Sequence, residues 1–418
     1  MTDLERVKQD GMYLQYVDNQ NDEICLEAIK NNIEAIRFVK KGTKRIYIEY
    51  LDYWGNEELR YDAIKYIYKP NYVVCLHAVR LNGMTLKFIN ARDQYICEEA
   101  VKSNGLALQF INRQNENLCF LAVKNNPISL KYAKVQNEKI ILEAVRNNGL
   151  MLEYASIQND EICKAAVRQN GLALQFVRQQ TEAICLKAIK QNAKALQYVK
   201  EKTDKLCMTA VKHNGEALQY IKNQSYEICL AAIKNNPKAI RYVQEQIEEL
   251  CLLAVKADPM TLQYIDNQNE NICWKACERN FMMLKFVKNM TYDLFYEFVI
   301  RGDYAFSIQY VENPKEEWIW EYLKSWMERP YSMNPHYDVI KFIENPTYDM
   351  CKYAVEFEES NLKHIQHNDS ICLFAVKRNG LALRYVKEQT LEICKEAVKQ
   401  NPSAIKYVNR RFIKDMEI

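Results

Sequence analysis

The sequence predicts an all-α protein, an α-solenoid of about eighteen 22-residue helix-turn-helix repeats. Three observations support this fold class. A 22-residue phrase, clearest from Glu161 to Glu182, recurs from one end of the chain to the other. Each copy carries the capping residues and the apolar spacing of a short helix. A turn signal, Asn followed by Gly or Pro, then divides many of the copies into two halves.

The period of the repeat is constant over more than half of the chain. We take Cys163, the cysteine of the phrase, as the anchor position of its repeat. Anchors then recur through ten consecutive steps of 22 residues, at Cys75, Cys97, Cys119, Ile141, Cys163, Cys185, Cys207, Cys229, Cys251, Cys273 and Phe295. Such regularity is typical of stacked supersecondary units, each too small to bury its apolar face alone.

The first half of each repeat predicts a short helix. Four residues before the anchor lies a residue that caps helix N-termini, such as Asn159. Apolar residues around the anchor, among them Ile162, Cys163 and Val167, form one helical stripe. A basic residue at anchor plus five, such as Arg168, lies near the negative end of the helix dipole.

The second half of each repeat also predicts a helix. We expect the glycine of pairs such as Asn170-Gly171 to end the first helix in a left-handed cap, and the proline of pairs such as Asn236-Pro237 to begin the second helix. A leucine-rich repeat is the alternative, because its period is similar and the pattern L-x-L-x-Y also fits a strand. The many helix formers in this half favour the helical interpretation.

The register of the repeats predicts five regions. The spacing between the anchors Tyr47 and Cys75 contains six extra residues, and a second break follows Phe295. The predicted regions are N-terminal repeats with a cap (1–51), an irregular insertion (52–74), a regular repeat array (75–298), degenerate Trp- and Pro-rich repeats (299–350), and C-terminal repeats with a cap (351–418).

Composition excludes several classes of function. The net charge is only +3 with 27% charged residues, so bulk electrostatics does not predict a strong nucleic-acid binder. No apolar run approaches the length of a membrane span, so we expect no membrane partner. Thirteen of the fourteen cysteines occupy anchor positions one repeat apart, which is too far for disulfides along the ladder. We therefore expect free, buried thiols and a reducing compartment such as the cytoplasm.

No constellation of residues predicts catalysis, a metal site or a cofactor. The five histidines show no metal-ligand spacing. Cys273 and Cys277 lie one helical turn apart and could form half of a zinc site, but both occupy apolar positions of the repeat and the other ligands are lacking. Core packing is the favoured interpretation of this pair, and we expect a protein that is not an enzyme.

Two polar ladders receive structural interpretations. Asn at anchor plus seven, in twelve repeats from Asn32 to Asn401, is expected to cap the second helix. Gln at anchor plus seventeen is expected to hydrogen-bond the turn of the next repeat and to fix the stacking register. This second ladder comprises Gln20, Gln114, Gln136, Gln158, Gln180, Gln224, Gln246, Gln268 and Gln389.

Two rows contain the candidate partner-binding cations. The basic residues at anchor plus five have a sufficient cause in the helix dipole. The row at anchor plus twelve is polar and weakly cationic, and it varies too little to specify nucleic-acid bases one by one. Six of its cationic members are the candidate partner-binding residues: Arg37, Lys87, Lys131, Arg241, Lys285 and Arg384.

The second break concentrates tryptophan. Trp318, Trp320 and Trp326 lie in one stretch with four of the nine prolines. One interpretation is a drifted repeat that refills its core with large aromatic residues, and this interpretation is favoured because Trp more often packs than docks. The alternative is an exposed insertion in which these three residues bind a partner.

The repeat phrase resembles a known family. The pattern E-I-C-x-x-A-V-x-x-N-G-x-A-L-x-Y-V-x-x-Q-T, matched at residues 161–181 with Phe176 in the Tyr position and nearly so at 227–246 and 370–390, is similar to the uncharacterised repeats called domain of unknown function 4116. That family is abundant in giant viruses of amoebae and in some protists. The resemblance implies a viral or protist origin inside cells, and it implies no active site.

These observations lead to one favoured function and two alternatives. The favoured function is a non-enzymatic repeat scaffold for protein–protein interaction. The alternatives are a sequence-nonspecific nucleic-acid or polyanion binder and a structural virion component. We expect protein to be the main partner, and the location to be the cytoplasm, a viral factory or a virion. The pattern does not specify the partner or the oligomeric state.

Overall fold

The structure, a computed structural model, describes residues 1–54, 63–90, 92–329 and 338–416. Parts of the predicted insertion and of the predicted degenerate region, residues 55–62 and 330–337, lie outside these ranges. The chain divides into two compact units, Met1–Ile221 and Lys222–Ile418. The described residues form α-helices, 3₁₀ helices and one short π-helix, with no strand among them, which confirms the predicted all-α repeat fold.

The first unit alternates α-helices with 3₁₀ helices. Its α-helices are α1 Asp3–Gln9, α2 Asp22–Asn31, α3 Lys44–Trp54, α4 Tyr72–Leu81, α5 Gln94–Ser103, α6 Glu116–Asn125, α7 Glu138–Asn147, α8 Asp160–Gln169, α9 Glu182–Gln191 and α10 Asp204–His213. The 3₁₀ helices between and after them are Gly11–Tyr16, Ile33–Phe38, Ala63–Tyr66, Gly83–Phe88, Gly105–Phe110, Pro127–Tyr132, Gly149–Tyr154, Gly171–Phe176, Ala193–Tyr198 and Gly215–Tyr220. Successive α-helices pack side by side, and so do successive 3₁₀ helices.

The second unit follows the same plan with one irregular repeat. Its α-helices are α11 Tyr226–Asn235, α12 Glu248–Ala257, α13 Glu270–Arg279, α14 Tyr292–Phe295, α15 Glu316–Met327, α16 Tyr348–Phe357, α17 Asp369–Arg378, α18 Leu391–Gln400 and α19 Arg410–Ile413. A π-helix, Tyr296–Ile300, continues α14. The 3₁₀ helices are Pro237–Tyr242, Pro259–Tyr264, Phe281–Phe286, Ala305–Tyr310, Val339–Phe342, Glu359–His364, Gly380–Tyr385, Pro402–Tyr407 and Lys414–Met416.

The second helix of each regular repeat is a 3₁₀ helix of six residues, which refines the predicted helix. In the repeat anchored at Cys163, Gly171, Leu174 and Val177 are buried at intervals of three residues. That spacing suits the three residues per turn of a 3₁₀ helix, in which residues i and i+3 eclipse. The Val177 N–H closes the helix by donating to the Leu174 carbonyl at 3.1 Å.

The polar caps lie where the sequence predicts them. In α8, the Asn159 side chain accepts a hydrogen bond from the Ile162 N–H at 2.9 Å. In the following 3₁₀ helix, the Asn170 side chain accepts from the Leu172 N–H at 3.0 Å. The same second cap forms at all twelve predicted asparagines: Asn32, Asn82, Asn104, Asn126, Asn148, Asn170, Asn192, Asn214, Asn236, Asn280, Asn379 and Asn401.

The predicted left-handed glycine cap is wrong. None of the described glycines has a positive φ, and Gly171 is instead the first residue of its 3₁₀ helix. Glycine is needed there for close approach, because a Cβ on Gly171 would lie 2.4 Å from the carbonyl oxygen of Ala188 in the next repeat. The Gly171 N–H also donates to the side chain of Gln191 in that repeat, at 2.6 Å.

Repeats with proline in the glycine position handle this contact differently. Pro127 has no N–H to donate. Asn147, which occupies the position equivalent to Gln191, turns back and donates to the Glu143 carbonyl of its own helix at 2.8 Å. Glycine at the start of a 3₁₀ helix therefore occurs with a side chain in the next repeat that accepts its N–H, as in Gly171 and Gln191. Proline at the same position occurs, in the case of Pro127, with a side chain that bonds within its own helix, Asn147.

The glutamine ladder joins neighbouring repeats, as predicted. Gln180 donates to the Tyr198 carbonyl at 2.9 Å and accepts from the Lys200 N–H at 3.0 Å. One carboxamide thus satisfies the last carbonyl of the next 3₁₀ helix and an N–H two residues later. We call the position five residues before each anchor the glutamine slot. All nine predicted glutamines make this pair of contacts.

The irregular repeat after α13 is rebuilt around two side chains of α15 and its C-terminal end. The π-helix that follows α14 redirects the backbone carbonyls at its end. Trp326, which is 1% exposed, donates its indole N–H to the Val299 carbonyl at 2.9 Å. Arg329 stacks on the Trp326 ring and donates to the carbonyls of Ile300 and Gly302. The side chains of Trp326 and Arg329 thus satisfy backbone carbonyls at the end of the π-helix.

The contribution of the glutamine slot can be tested with Gln180→Ala. The substitution leaves the Tyr198 carbonyl and the Lys200 N–H without their side-chain partner. We expect a loss of about 1–3 kcal/mol in unfolding free energy and faster hydrogen exchange at the Lys200 amide. The control is Gln175→Ala, because Gln175 is exposed and bonds only the Leu172 carbonyl of its own helix. Equal effects of the two variants would contradict the assigned role.

Candidate functional site

Each regular repeat presents a similar set of side chains on its 3₁₀ helix. Three positions, anchor plus nine, plus twelve and plus thirteen, form what we call the 3₁₀ face. The position at plus nine is often apolar and partly exposed, as at Ile128 (45%), Met260 (37%) and Met282 (38%). The position at plus thirteen carries a half-buried aromatic ring in both units, as at Tyr132 and Phe286.

The predicted partner-binding cations lie on this face, directly before the aromatic residues. They are exposed, and each lies near the face of an aromatic ring. Lys131 lies between two rings, 5.9 Å from Tyr132 and 5.7 Å from Tyr154. The others are Arg37 over Tyr66, Lys87 over Phe88, Arg241 over Tyr242 and Tyr264, Lys285 over Phe286, and Arg384 over Tyr385, at 4.5–5.7 Å.

Glutamines at the same position are bound by their own helices. Gln109, Gln175, Gln219 and Gln263 each donate to the carbonyl three residues earlier at 2.9–3.1 Å. The row therefore combines self-bonded amides with cations that lie over rings. It is a moderately charged aromatic surface, with apolar side chains beside it.

Cations and amides make up the same row in the second unit. Each residue of this row lies directly before the aromatic ring of its 3₁₀ helix, or before His364, which replaces the ring in one repeat. Within residues 222–418 the row comprises Arg241, Gln263, Lys285, Gln309, Lys341, Lys363, Arg384 and Lys406, with no carboxylate among them. Acidic residues nevertheless slightly outnumber basic residues over this range as a whole. At the end of the row, a hydrogen bond from Lys406 and a weaker one from Arg384 lower the pKa of the Tyr407 phenol.

The outer face of the α-helices has a different character. Polar side chains there bind the neighbouring repeat, as in the ion pairs Arg80–Glu99 at 2.8 Å and Arg146–Glu161 at 3.4 Å. In the second unit, Tyr226 donates to Glu249 at 2.8 Å. Some cations at anchor plus five are engaged with carboxylates in this way. Polar side chains on this face thus bind other side chains of the protein itself.

The three tryptophans do not form an exposed docking patch. Trp326 is buried, and Trp318 is 8% exposed and packs against Phe295 with ring centroids 5.4 Å apart. Trp320 is half-buried, with its ring edge-on to Tyr353 at 5.8 Å. The prediction of direct partner contact is therefore wrong for Trp318 and Trp326, because both rings fill the core of the irregular repeat.

The thiols lie in the core. All fourteen cysteines are buried and free. Several anchor thiols lie near a glutamine of the slot, as in Cys119, whose Sγ is 3.3 Å from the Gln114 side-chain oxygen. Burial raises the pKa of Cys273 to about 11 and that of Cys277 to about 12, with Glu270 and the neighbouring Cys273 adding to the respective shifts. Both thiols are therefore less acidic than an exposed thiol.

In the part of the chain that the structure describes, no group of three or more His, Cys, Asp or Glu side chains is arranged to hold a metal ion. None of the helices in the described ranges has both the length and the apolar composition that crossing a bilayer requires.

The fold and the repeated face define an all-α repeat protein with a recurrent aromatic and polar surface. A sequence-family model described as domain of unknown function (DUF4116) matches residues 4–42, 93–136, 137–182 and 204–248. These matches show that the chain contains repeats similar to this family, which confirms the resemblance of the phrase. A search of curated proteins finds no significant match.

Sequence reasoning missed two features of the surface. It assigned the row of cations but did not recognise that the aromatic residue after each cation stays half-exposed. It also did not recognise that some repeats have proline in the glutamine slot. Both signals were present in the sequence, as the pair Lys131-Tyr132 and as Pro314 five residues before Ile319.

The buried thiols predict a loss of stability at alkaline pH. The unfolded chain releases thiol protons near pH 9, whereas the folded chain retains them because burial raises each pKa. Stability is therefore fully present below about pH 8 and falls as the pH rises above about 9. Urea unfolding between pH 7 and 9.5, below the main tyrosine and lysine titrations, measures this dependence.

The control for this prediction is chemical. We expect iodoacetamide to leave the thiols of the native chain unmodified at pH 8 and to modify all fourteen in urea, as counted by mass spectrometry. Rapid alkylation of the native chain, or a urea midpoint that does not change over this pH range, would contradict the assignment.

Proposed function

We propose that this protein is a non-enzymatic scaffold that binds partner proteins through the 3₁₀ face. One observation carries the proposal: an exposed cation or amide lies directly before a half-exposed aromatic ring on most of the described 3₁₀ helices, and an apolar side chain often lies beside them. Aromatic residues, methionine and arginine are enriched at the centres of protein interfaces. The ion pairs on the α-helix face contrast with this arrangement and leave the 3₁₀ face as the stronger candidate.

The repetition of the 3₁₀ face within each unit supports a scaffold. Stacked repeats offer many copies of a similar weak site, and a partner that contacts several of them gains affinity by multivalency. The location that we propose is a reducing compartment such as the cytoplasm, supported by fourteen free cysteines. Origin from a virus or protist, with a place in a viral factory or virion, also remains part of the proposal, and mass spectrometry of purified particles tests it.

Partner capture with matched variants tests the main proposal. We expect the triple variant Ile128→Ser, Met260→Ser, Met282→Ser to reduce crosslinked partner proteins at least about tenfold relative to the unmodified chain, since it removes apolar contacts from the face. The control variant is Ile157→Ser, Tyr348→Ser, in which two exposed apolar residues outside the face are replaced.

Circular dichroism checks that all variants retain their helices. The proposal fails if the unmodified chain recovers no protein above background. It also fails if the control variant loses partners to the same extent as the triple variant, because the face would then have no special role.

A second candidate function is sequence-nonspecific binding of nucleic acid, favoured by the recurrent cations beside aromatic rings. Single-stranded nucleic acids bind to surfaces that combine positive charge with rings on which bases stack. Two observations make this candidate weaker. Rings such as Tyr242, Phe286 and Tyr385 already have a cation of the chain near their faces, and residues 222–418 are slightly acidic overall.

A gel-shift titration distinguishes the two functions. We expect no shift of single- or double-stranded oligonucleotides, even at about 20 mM salt, where phosphate contacts are strongest. A shift that weakens steeply with added salt, and that Lys285→Ala and Arg384→Ala reduce, would instead favour the nucleic-acid function.

A further inference from the structure

Three junctions between repeats have proline in the glutamine slot. They are Pro70, Pro314 and Pro346, and in each case the preceding residue adopts a left-handed backbone conformation, with φ of 47° at Lys69, 48° at Asn313 and 53° at Asn345. Such a conformation is uncommon for residues other than glycine. Proline carries no side-chain amide, so these junctions lack the contact that joins regular repeats.

The junction at Pro314 leaves two backbone groups without that contact. By position in the repeat, the Phe342 carbonyl and the Glu344 N–H correspond to the Tyr198 carbonyl and the Lys200 N–H that Gln180 binds. Within the described ranges, neither group has a hydrogen-bond partner. A donor and an acceptor two residues apart are thus available beside Pro314.

A cavity of about 870 Å³ opens at this junction. Its walls include Pro314 and Ile319 on one side and Phe342, Ile343 and Glu344 on the other. The comparable space beside Gln158, a regular glutamine slot, measures about 350 Å³. The junction with proline is therefore much roomier than this regular one.

The charges around the cavity are balanced. Lys285 and Lys341 line it together with Glu312 and Glu344, and Lys341 is also paired with Asp338. Rings of Tyr310 and Phe342 and the side chain of Ile308 supply apolar walls. A balanced rim with apolar walls favours an uncharged polar group over a carboxylate or an ammonium.

We propose that the space beside Pro314 is a receptor site for the glutamine side chain of an extended partner polypeptide. The incoming carboxamide donates to the Phe342 carbonyl and accepts from the Glu344 N–H, as the chain's own glutamines do at nine other junctions. The protein itself thus shows which chemistry fits this pair of backbone groups. This inference rests on the proposed scaffold function and adds the group that is recognised.

The test uses the full chain and a defined peptide. The probe is the blocked pentapeptide acetyl-Ser-Leu-Gln-Leu-Ser-amide, with versions that carry Glu or Met in place of Gln. In a deuterated, ¹⁵N-labelled sample, we expect the Gln peptide to shift the Glu344 amide resonance in a saturable manner. The Glu and Met peptides should bind at least about tenfold more weakly, because they leave one or both backbone groups unpaired.

Two variants complete the test. Pro314→Gln supplies a carboxamide from within the chain, so we expect it to abolish the peptide response and to raise the midpoint of thermal unfolding. Pro70→Gln is the matched control, because it makes the same substitution at a proline junction of the first unit, away from the walls of this cavity, and it should retain the peptide response.

Several results would overturn the proposal: equal binding of the three peptides, no shift of the Glu344 amide at millimolar peptide, or an unchanged response in Pro314→Gln. Its failure is distinguishable from failure of the scaffold function. If capture of partner proteins depends on the 3₁₀ face but not on Pro314→Gln, then the glutamine site is wrong and the scaffold function stands.

Discussion

The unmet hydrogen bonds at the end of each 3₁₀ helix govern how the repeats assemble. A six-residue helix cannot satisfy its own last carbonyl, and the chain turns away immediately after it. At nine junctions the carboxamide of the preceding glutamine slot satisfies that carbonyl and a nearby N–H together. Because these partners belong to a neighbouring repeat, a single repeat has an incomplete set of backbone bonds. Stacking register then follows from hydrogen bonding as well as from apolar burial.

The two exposed faces of the repeats reflect different uses of polar side chains. On the α-helix face, pairs such as Arg80–Glu99 join one repeat to the next, and their charges are partly neutralised. On the 3₁₀ face, cations such as Lys131 lie over rings and remain exposed. In residues 222–418 this separation places positive charge on one face of a slightly acidic unit, so local chemistry is a better guide to partners than net charge.

The sequence was sufficient to predict the elements that depend on one repeat and its immediate neighbour. The cap at Asn159, the buried anchor Cys163 and the bridging Gln180 all follow from residue type and position. The role of Gly171 was misassigned, because a glycine signal cannot by itself distinguish a left-handed backbone from close approach to another helix. The 3₁₀ geometry was missed, although the three-residue spacing of Gly171, Leu174 and Val177 was a readable signal.

The irregular repeat was the least predictable part of the described chain. Its packing depends on Trp326 reaching the Val299 carbonyl across 27 residues, a contact that no local pattern encodes. The cavity beside Pro314 likewise requires knowledge of which backbone groups meet there. The identity of proline in the slot was visible, but its consequence became clear only when the repeats were seen side by side.

The matching between the first residue of a 3₁₀ helix and a side chain in the following repeat limits the modularity of the array. Gly171 is suited to a neighbour with Gln191, whereas Pro127 is followed by an asparagine that bonds within its own helix. Repeats of the same length are therefore not interchangeable parts. Engineered arrays made by exchanging repeats would keep more stability if such paired residues were transferred together. The unit to transfer is therefore longer than one 22-residue repeat.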